Sequence, residues 1–336
     1  MRDVLFDIER WQAESAAIAL ATVVETWGSA PRAAGGKMAL TADGRIAGSV
    51  SGGCVENAVI EASAEVLGTG KARLLHFGVS NEEAWSVGLA CGGAIDVFVE
   101  PLSTPLFVPL RDALRAQRPA ATATLIRGPE AKVGAKLAVF SDGTTAGAID
   151  EAALAAARAA LSGGPAGRIT LGDSEIFVDV LLPSPRLIII GGVHIAIPLV
   201  TFARALGFRA ILVDPRESFG NAQRFPHADE IVPEWPDRAI AALAPDASTA
   251  IAVLTHDPKI DDPALVAALR SPAFYVGALG SRRTQEKRRA RLLDAGMTET
   301  ELARLHAPIG LDLGGRSPEE IAVAVVAQMV AARNGR

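Results

Sequence analysis

The feature that most constrains the fold is an internal repeat in the first half of the chain. From Ile18 the sequence passes through a β-rich stretch, a Lys-hydrophobic-Ala-hydrophobic pattern, an Asp-Gly pair, an Ala-Gly pair and an Ala-rich stretch, and from Ala121 it does so again. The residues that match at one constant offset are Lys37, Asp43-Gly44 and Ala47-Gly48 in the first copy and Lys136, Asp142-Gly143 and Ala146-Gly147 in the second. Because the period lies outside the range of short solenoid repeats, the sequence predicts one α/β unit present twice.

Each copy has the local signals of strands, a hairpin and a helix. Hydrophobic residues alternate after each matched lysine, which favours a strand, and the Asp-Gly pairs favour hairpin turns. The Ala-rich stretches predict helices that end at Gly68 and Gly163. Each copy then closes on a strand, from Ile95 in the first and from Val178 in the second. Ahead of the first copy, one face of a predicted short helix is apolar, formed by Val4, Ile8 and Trp11.

The second copy is shorter at three places, and all three extra segments of the first copy are rich in glycine. They are residues 26–32, 49–54 and 88–93, and they contain both cysteines of the chain, Cys54 and Cys91. Because functional residues gather in loops on a scaffold, these segments predict a site. The alternative is that the second copy lost its loops at random and that the cysteines are small buried hydrophobic residues.

Composition restricts the partners that the chain can have. A length of 336 residues predicts two or three domains, and a net charge of −5 argues against a broad nucleic-acid-binding surface. No apolar run approaches the ~20 residues of a membrane span, and the N-terminus lacks the apolar stretch of a signal peptide. We therefore expect a cytoplasmic protein, whose cysteines are reactive, ligating or buried rather than joined in a disulfide.

The second half of the chain predicts a Rossmann-like domain. A buried strand (187–190), a glycine turn, a helix (195–206) and a second strand (210–213) form a βαβ unit that ends in Asp214. Asp214 lies near the spacing of the acid that binds ribose in dinucleotide-binding domains. However, Val193 stands where the second glycine of the G-x-G-x-x-G/A pattern lets the backbone approach a pyrophosphate, which disfavours NAD(P).

Later strands of this half are followed by polar loops, at the edge where open α/β sheets bind ligands. The residues after one strand are Thr255, His256 and Asp257. After another, Gly277–Ser281 leads into a helix that begins with Arg282 and Arg283, and free amides together with two arginines favour an anion there. Lys287 to Arg291, farther along this helix, are interpreted as a face exposed to solvent.

The expected architecture is therefore α/β throughout. A duplicated α/β domain occupies residues 1–183, with its copies at about 18–102 and 121–183. A Rossmann-like domain with a doubly wound parallel sheet follows over residues 184–336.

The motifs, in this order, resemble those of the xanthine dehydrogenase accessory proteins, the XdhC/CoxI family. The N-terminal resemblance rests on GSAPR (28–32), GSVSGGCVE (48–56) and GLACGG (88–93). The C-terminal resemblance rests on GGVHIA (191–196), VDPR (213–216), THD (255–257), YVGALGSRRT (275–284) and PIGL (308–311). The resemblance covers most of the chain outside the second copy, although the usual Gly-Ala-Gly-His turn of the family is Gly-Gly-Val-His here.

The resemblance implies a cytoplasmic maturation factor, or chaperone, for a molybdenum hydroxylase of the xanthine or CO dehydrogenase type. Such a protein binds the molybdenum cofactor (molybdopterin) as cargo, protects it while a cysteine desulfurase sulfurates it, and inserts it into the hydroxylase. An accessory role assigns no catalytic residue and no resident metal. No nucleic acid or membrane is expected as a partner, and a homodimer is suggested only by how common twofold association is.

The cofactor contacts are predicted from its chemistry. Thiolates suit its soft molybdenum–sulfur end, to which Cys54, Cys91 and Arg32 are assigned, and Arg282 and Arg283 are assigned to its phosphate. The full predicted set is Arg32, Gly52, Gly53, Cys54, Glu56, Cys91, Gly92, Gly191, Gly192, His194, Asp214, His256, Arg282 and Arg283.

Three other interpretations stay open. The main one is an NAD(P)- or flavin-binding oxidoreductase that uses the second half. The others are a zinc protein that uses both cysteines and His76, and a purely structural duplicated domain.

Overall fold

Two sheets with the same strand order form the first part of the chain. The computed structural model describes residues 1–28, 32–53, 55–78 and 93–336, and contacts divide the chain into a first unit, Met1–Pro183, and a second unit, Ser184–Arg336. The first sheet, in the order β3-β2-β1-β5-β4, contains β1 (Ile18–Trp27), β2 (Lys37–Thr41), β3 (Ile46–Gly48), β4 (Arg73–Phe77) and β5 (Ala94–Pro101). The second, in the order β8-β7-β6-β10-β9, contains β6 (Ala120–Arg127), β7 (Lys136–Phe140), β8 (Thr145–Gly147), β9 (Gly167–Leu171) and β10 (Ser174–Leu181).

The strand registers confirm that one α/β unit is present twice. Thr22 of β1 lies opposite Lys37 of β2, and Thr124 of β6 lies opposite Lys136 of β7. The helices of this unit are α1 (Arg2–Ala13), α2 (Glu56–Thr69), α3 (Thr104–Arg115) and α4 (Glu151–Leu161), with a short 3₁₀ turn at Glu130–Lys132. Because α1 precedes β1 as α3 precedes β6, each copy also includes a helix that the matched sequence motifs did not reveal.

The helices cover the sheets with their apolar sides. The predicted face of α1 is confirmed, because Val4, Ile8 and Trp11 are buried. Helix α2 continues past Gly68 to Thr69, and Gly70 adopts the left-handed conformation that ends it, so the predicted end was two residues early.

One glycine in each copy is required by a close backbone contact. Gly48 and Gly147 have φ angles of 74° and 71°. A Cβ atom on either would lie 2.3 Å from the carbonyl oxygen of the matched lysine, Lys37 or Lys136. The Ala-Gly pair therefore recurs because only glycine fits there.

Reciprocal ion pairs join the two sheets inside the first unit. The Nζ atom of Lys37 lies 2.8 Å from Oδ2 of Asp179, and the side chains are only 6% and 14% exposed. Lys136 forms the corresponding ion pair with Glu100. Glu100 and Asp179 occupy equivalent positions of β5 and β10, so each copy supplies a lysine to the acid of the other.

The second unit is a six-stranded, wholly parallel sheet with helices on both faces, which confirms the doubly wound, Rossmann-like prediction. Its strands, in the order β13-β12-β11-β14-β15-β16, are β11 (Arg186–Ile190), β12 (Arg209–Val213), β13 (Glu230–Val232), β14 (Thr249–Val253), β15 (Tyr275–Ala278) and β16 (Leu305–His306). Its helices are α5 (Ala196–Ala205), α6 (Pro236–Leu243), α7 (Pro258–Arg270), α8 (Arg282–Asp294), α9 (Glu299–Leu302) and α10 (Pro318–Arg333).

The central strand β11 explains why helices cover both faces of the sheet. Leu187 and Ile189 of β11 face one core, whereas Ile188 and Ile190 face the other. A run that is apolar at every position is typical of a parallel strand buried on both faces.

Among the helices of the described chain, none has both the length and the apolar character needed to cross a bilayer.

Candidate functional site

The three glycine-rich segments that the sequence singled out in the first copy all adjoin one edge of the first sheet. β1 is antiparallel to β2 and β5, which are in turn antiparallel to β3 and β4. Strands β1, β3 and β4 therefore run in the same direction and end at the same edge, at Trp27, Gly48 and Phe77. We call this edge of the first sheet the loop edge.

The second sheet closes two of the three matching connections with much shorter segments. Residues 148–150 join β8 to α4, where residues 49–55 join β3 to α2. Residues 172–173 join β9 to β10, where residues 78–93 join β4 to β5. Residues 128–135, which join β6 to β7, are nearly as long as residues 28–36, which join β1 to β2, so the predicted loss of the first segment from the second copy is wrong. The fold itself therefore does not need the longer segments that follow β3 and β4.

Glu56 organises the glycine-bearing segment of the loop edge. Its carboxylate accepts hydrogen bonds from the hydroxyls of Ser49 and Ser51 at 2.8 and 2.5 Å. It also accepts hydrogen bonds from the backbone amides of Ser51, Gly52 and Gly53 at 2.9, 3.0 and 2.8 Å. Partial burial alone would raise the pKa of Glu56, but the hydrogen bonds from Ser51 and Ser49 lower it to about 2. The ionised carboxylate thus holds the loop in place.

The glycines of this segment are needed for backbone conformation rather than for space. Gly52 and Gly53 have φ angles of 84° and 125°, and an added Cβ atom would find no other atom within 4 Å at either residue. Left-handed backbone of this kind lets successive amides point at one anion, which here is the carboxylate of Glu56. The predicted cofactor contact of Glu56 stays a prediction, and its oxygens already accept hydrogen bonds from the loop.

Replacing Glu56 with glutamine is expected to loosen this loop. A neutral amide attracts the converging donors less strongly than a carboxylate, and its NH₂ group cannot accept a hydrogen bond. We expect the amides of Ser51, Gly52 and Gly53 to exchange with solvent at least about tenfold faster, because they would lose charge-assisted hydrogen bonds. Hydrogen exchange followed by NMR would measure this, and exchange as slow as in the wild type would contradict it. Glu65→Gln, on the exposed side of α2, is the control.

Arg32 connects two of the added segments. Its Nε atom donates a hydrogen bond to the carbonyl oxygen of Ser49 at 3.1 Å, and its Nη2 atom donates to Asp3 at 2.9 Å. The sequence grouped Arg32 with the 49–54 segment, and the structure brings the two together. Cys54, Cys91 and Gly92 lie outside the described residues, so their assignment to the cofactor stays a prediction.

A histidine on β4 adds a group that the sequence analysis considered only as a zinc ligand. Nδ1 of His76 lies 2.5 Å from Oδ1 of Asp96, and the His76 side chain is 69% exposed. Among the described residues, only Nδ1 of this imidazole has a hydrogen-bond partner, and the ring's second nitrogen, Nε2, is the one that can face a ligand. The second copy has Thr170 at the equivalent position, so the histidine belongs to the loop edge alone.

The acid that orients His76 is itself anchored across the two sheets. Arg168 of the second copy donates hydrogen bonds to Asp96 at 2.7 Å and to Glu25 at 2.5 Å, and it also pairs with Glu175. This network fixes the orientation of Asp96 at the loop edge. Over residues 1–28, 32–53, 55–78 and 93–336, no three His, Cys, Asp or Glu side chains lie where they could hold a metal ion.

In the second unit, the glycine turn after β11 packs against the protein's own chain. A Cβ atom on Gly191 would lie 2.3 Å from a methyl carbon of Thr255, and one on Gly192 would lie 2.3 Å from the carbonyl oxygen of Phe219. Close packing within the fold therefore accounts for both glycines. Val193 packs partly buried against the core, and His194 is exposed.

Asp214 holds this turn in place through a hydrogen bond to its backbone. It is fully buried, and it accepts hydrogen bonds from the amide of Gly192 at 2.8 Å and from Nε and Nη2 of Arg216 at 2.9 and 2.8 Å. Burial acts to raise the pKa of Asp214, but the bonds from Arg216 and Gly192 lower it overall. A ribose hydroxyl would have to compete with Arg216 for this carboxylate, and a ligand contact by Asp214 stays a prediction.

Two predicted residues of the second unit, His256 and Arg283, line one small cleft at the carboxyl edge of the sheet. Arg282 is exposed and does not line it. The interpretation of Lys287 to Arg291 as a face exposed to solvent is wrong for Arg288, which is 1% exposed. Its Nη2 atom lies 2.8 Å from Oδ2 of Asp261, because a buried guanidinium requires a carboxylate partner.

Two family models match the chain. The model described as the XdhC and CoxI family matches residues 11–78, and the model described as the XdhC Rossmann domain matches residues 187–329. The first range includes two of the three added segments and His76. The second includes the parallel sheet and the cleft.

Relatives extend the similarity over nearly the whole chain. A probable xanthine dehydrogenase subunit from Bacillus subtilis (strain 168) is 28% identical over 320 residues, which cover 94% of this chain and 92% of that protein. The molybdenum cofactor insertion chaperone PaoD of Escherichia coli (strain K12) is 28% identical over 316 residues, which cover 94% of this chain and 83% of that protein. A crystal structure of a xanthine dehydrogenase from Bacillus halodurans has a TM-score of 0.81 at 26% identity, over 99% of this chain and 96% of that one.

Proposed function

Because this chain belongs to the XdhC and CoxI family, we propose that it is a maturation factor that carries the molybdenum cofactor to a molybdenum hydroxylase of the xanthine or CO dehydrogenase type. The similarity to an insertion chaperone for this cofactor supports the cargo, and the similarity to a xanthine dehydrogenase subunit supports the class of client. Its role is to bind and hand over, without turnover of the hydroxylase substrate.

The loop edge is the observation that carries this proposal. Its segments leave the same side of one sheet, and the second copy folds with much shorter connections in place of those after β3 and β4. Two polar groups that suit the cargo lie there: the guanidinium of Arg32 and the imidazole of His76, whose Nε2 has no hydrogen-bond partner among the described residues. Cys54 and Cys91 belong by sequence to segments of this edge, and thiolates suit a soft molybdenum–sulfur centre.

The same edge suits protection of the cofactor during sulfuration. A cysteine desulfurase delivers sulfur to the molybdenum end, so that end has to be held without being sealed. Protein thiolates, which exchange with other sulfur ligands, meet this requirement. Cytoplasmic location and a cysteine desulfurase as partner form part of the proposal.

Trimming one segment of the loop edge tests the proposal. In the test variant, the two-residue turn Gly172-Asp173 of the second copy replaces residues 78–94. The second sheet folds with this turn, so we expect the variant to fold. Its retention of molybdenum cofactor should fall at least about tenfold, because the removed segment contains Cys91 and Gly92, two of the predicted cofactor contacts. Protein incubated with the cofactor would be desalted and assayed for oxidised pterin by fluorescence.

The controls separate a lost site from a damaged fold. Asp173→Ala alters the matched turn of the second copy and is expected to retain the cofactor as the wild type does. Circular dichroism of the trimmed variant should match that of the wild type. Equal retention by trimmed and wild-type proteins would remove the loop edge from the site, and no retention by the wild type would overturn the carrier role. Cys54→Ala and Cys91→Ala then report on each thiol.

A further inference from the structure

Helix α8 carries more positive charge than its ion pairs use. Three of its six basic side chains have carboxylate partners, in the pairs Arg288–Asp261, Arg289–Glu299 and Arg291–Asp262. Among the residues that the structure describes, no carboxylate pairs with the other three, which are Arg282, Arg283 and Lys287. In a chain of net charge −5, this concentration of cations does not follow from overall composition.

Two of these unpaired cations converge on the cleft that His256 lines. Arg283 and Lys287 are four positions apart, so their side chains extend from the same face of α8. Like charges at this spacing destabilise a helix unless something neutralises them. The cleft residues, which define what we call the cationic cleft, are His256, Pro258, Asp261, Arg283, Thr284, Lys287, Arg288 and Arg291.

The acids that border the cationic cleft do not neutralise its open side. Asp261 is 1% exposed, and both of its oxygens are engaged, one by the hydroxyl of Thr255 and the other by Arg288. Asp257 caps α7, and its carboxylate accepts a hydrogen bond from the amide of Lys259 at 3.0 Å. The positive charges of Arg283 and Lys287 therefore remain available to a ligand.

The floor of the cleft contains a further unused donor. Arg288 has a side chain that is 2% exposed, and its buried Nε atom has no hydrogen-bond partner among the described residues. Its other nitrogens donate to the carbonyl of Leu279 at 3.0 Å, to Gln285 at 2.5 Å and to Asp261 at 2.8 Å. A buried guanidinium held this firmly, with one N–H unpaired, increases the positive potential beneath the cleft.

The cleft is large enough for a phosphate group. Its volume is about 150 Å³, which is ample for one tetrahedral oxyanion. Arg283 presents a planar fork that matches phosphate oxygens, and Lys287 adds a point charge.

From these observations we propose that the cationic cleft is a binding site for the phosphate group of a small phosphorylated molecule. Arg283 and Lys287 bind the phosphate oxygens, His256 adds a donor from the opposite wall, and Arg288 supports the site from below. The rest of the ligand extends out of the cleft. This site does not depend on the carrier role, because its evidence comes from the second unit alone.

Titration of the full-length protein with inorganic phosphate tests the site. The variant Arg283→Ala/Lys287→Ala is expected to bind phosphate at least about tenfold more weakly than the wild type, since it loses two charge-assisted contacts. Arg289→Ala is the matched control: it removes the same charge from the exposed side of the same helix, outside the cleft, and its affinity for phosphate should stay within about twofold. Calorimetry or ³¹P NMR would give the dissociation constants.

The outcomes separate the site from general attraction and identify the source of the phosphate. Equal weakening in the Arg289→Ala and the double variant would overturn the proposal, as would a wild-type protein that binds no phosphate. The second measurement is the retention of molybdenum cofactor by the double variant. A loss there would identify the phosphate as that of the cargo, and unchanged retention alongside weakened phosphate binding would identify a phosphorylated ligand separate from it. A protein that binds phosphate but no cofactor would contradict only the carrier role.

Discussion

Lys37→Met is expected to lower the free energy of unfolding of the first unit by about 3–5 kcal/mol, the range for a buried ion pair that loses one partner. Asp179 would keep a charge in a nearly closed environment, because its only described partner within 3 Å is the ammonium of Lys37 at 2.8 Å. Methionine fills a similar volume and leaves no cavity, so the loss reports on the charge. Hydrogen exchange of core amides in β1 would measure the stability of this unit within the full chain.

The double variant Lys37→Met/Asp179→Leu is the control. Removing both charges leaves no uncompensated group, and apolar replacements of buried ion pairs are often neutral or stabilising. We therefore expect most of the lost stability to return. A double variant as unstable as Lys37→Met would show that the lysine stabilises the unit by another route.

The pH dependence of this effect has a definite sign. Burial acts to raise the pKa of Asp179, but the charge and hydrogen bond of Lys37 lower it in the folded wild-type protein. The pair therefore stabilises the fold above the unfolded pKa of aspartate, about 3.9, and this contribution is lost as pH falls through the lower folded value. In Lys37→Met the unpaired acid accepts a proton more easily, so the difference from the wild type should shrink between neutral pH and about pH 4. A difference that grows over this range would contradict this account.

Gly48→Ala is expected to destabilise the first unit by a comparable amount, about 2–5 kcal/mol. The positive φ of 74° costs an L-residue ~1–2 kcal/mol, and the overpacking that follows costs a further ~1–3 kcal/mol. The overpacking arises because the new Cβ atom would meet the carbonyl oxygen of Lys37 at 2.3 Å and a methyl carbon of Val4 at 2.6 Å. Denaturant unfolding followed by circular dichroism would measure the change.

Gly44→Ala separates strain from collision. Gly44 has a φ of 87°, and an added Cβ atom there would meet nothing within 4 Å. This variant should therefore lose only the ~1–2 kcal/mol of backbone strain. Gly147→Ala, at the equivalent position of the second copy, should resemble Gly48→Ala. Equal losses for Gly44→Ala and Gly48→Ala would remove the close contact as the reason for the glycine.

The parts of the fold that the sequence predicted depend on local patterns. The matched Lys, Asp-Gly and Ala-Gly residues revealed two copies because each fixes a strand start or a turn within a few positions. The apolar run at 187–190 predicted a doubly buried strand for the same reason. Helix α3 was not assigned to the repeat, because it shares with α1 an apolar face but no matched motif.

The ion pairs between residues that lie far apart in the sequence could not be predicted from it. Lys37 and Asp179 meet only when the two sheets pack together, and no local pattern marks either as half of a pair. Arg288 was predictable in part, because it lies four residues before the buried Leu292 and hence on the same face of α8. Its partner Asp261 lies on another helix and gives no sign of the pairing.

The candidate site was predicted to a similar extent. Comparison of the copies correctly identified the segments after β3 and β4 as additions, and strand directions explain why they adjoin the same edge as residues 28–32. The role of Glu56 in holding residues 49–53 could be seen only in the structure. From the sequence alone, an acid after a Ser-Gly-rich stretch can equally well face a ligand. His76 gave no signal beyond its residue type, since Asp96 and Arg168 approach it from separate strands.

The exchanged ion pairs of the first unit have an evolutionary consequence. When a residue on one half meets an acid on the other and the reverse contact also exists, the arrangement is that of a twofold interface between identical subunits. The unit thus contains, within one polypeptide, the pattern of contacts that two identical subunits form across a twofold axis. Because both halves belong to one chain, a substitution in one half is not repeated in the other. One half can therefore carry long loops for a ligand while the other keeps only what the shared interface requires.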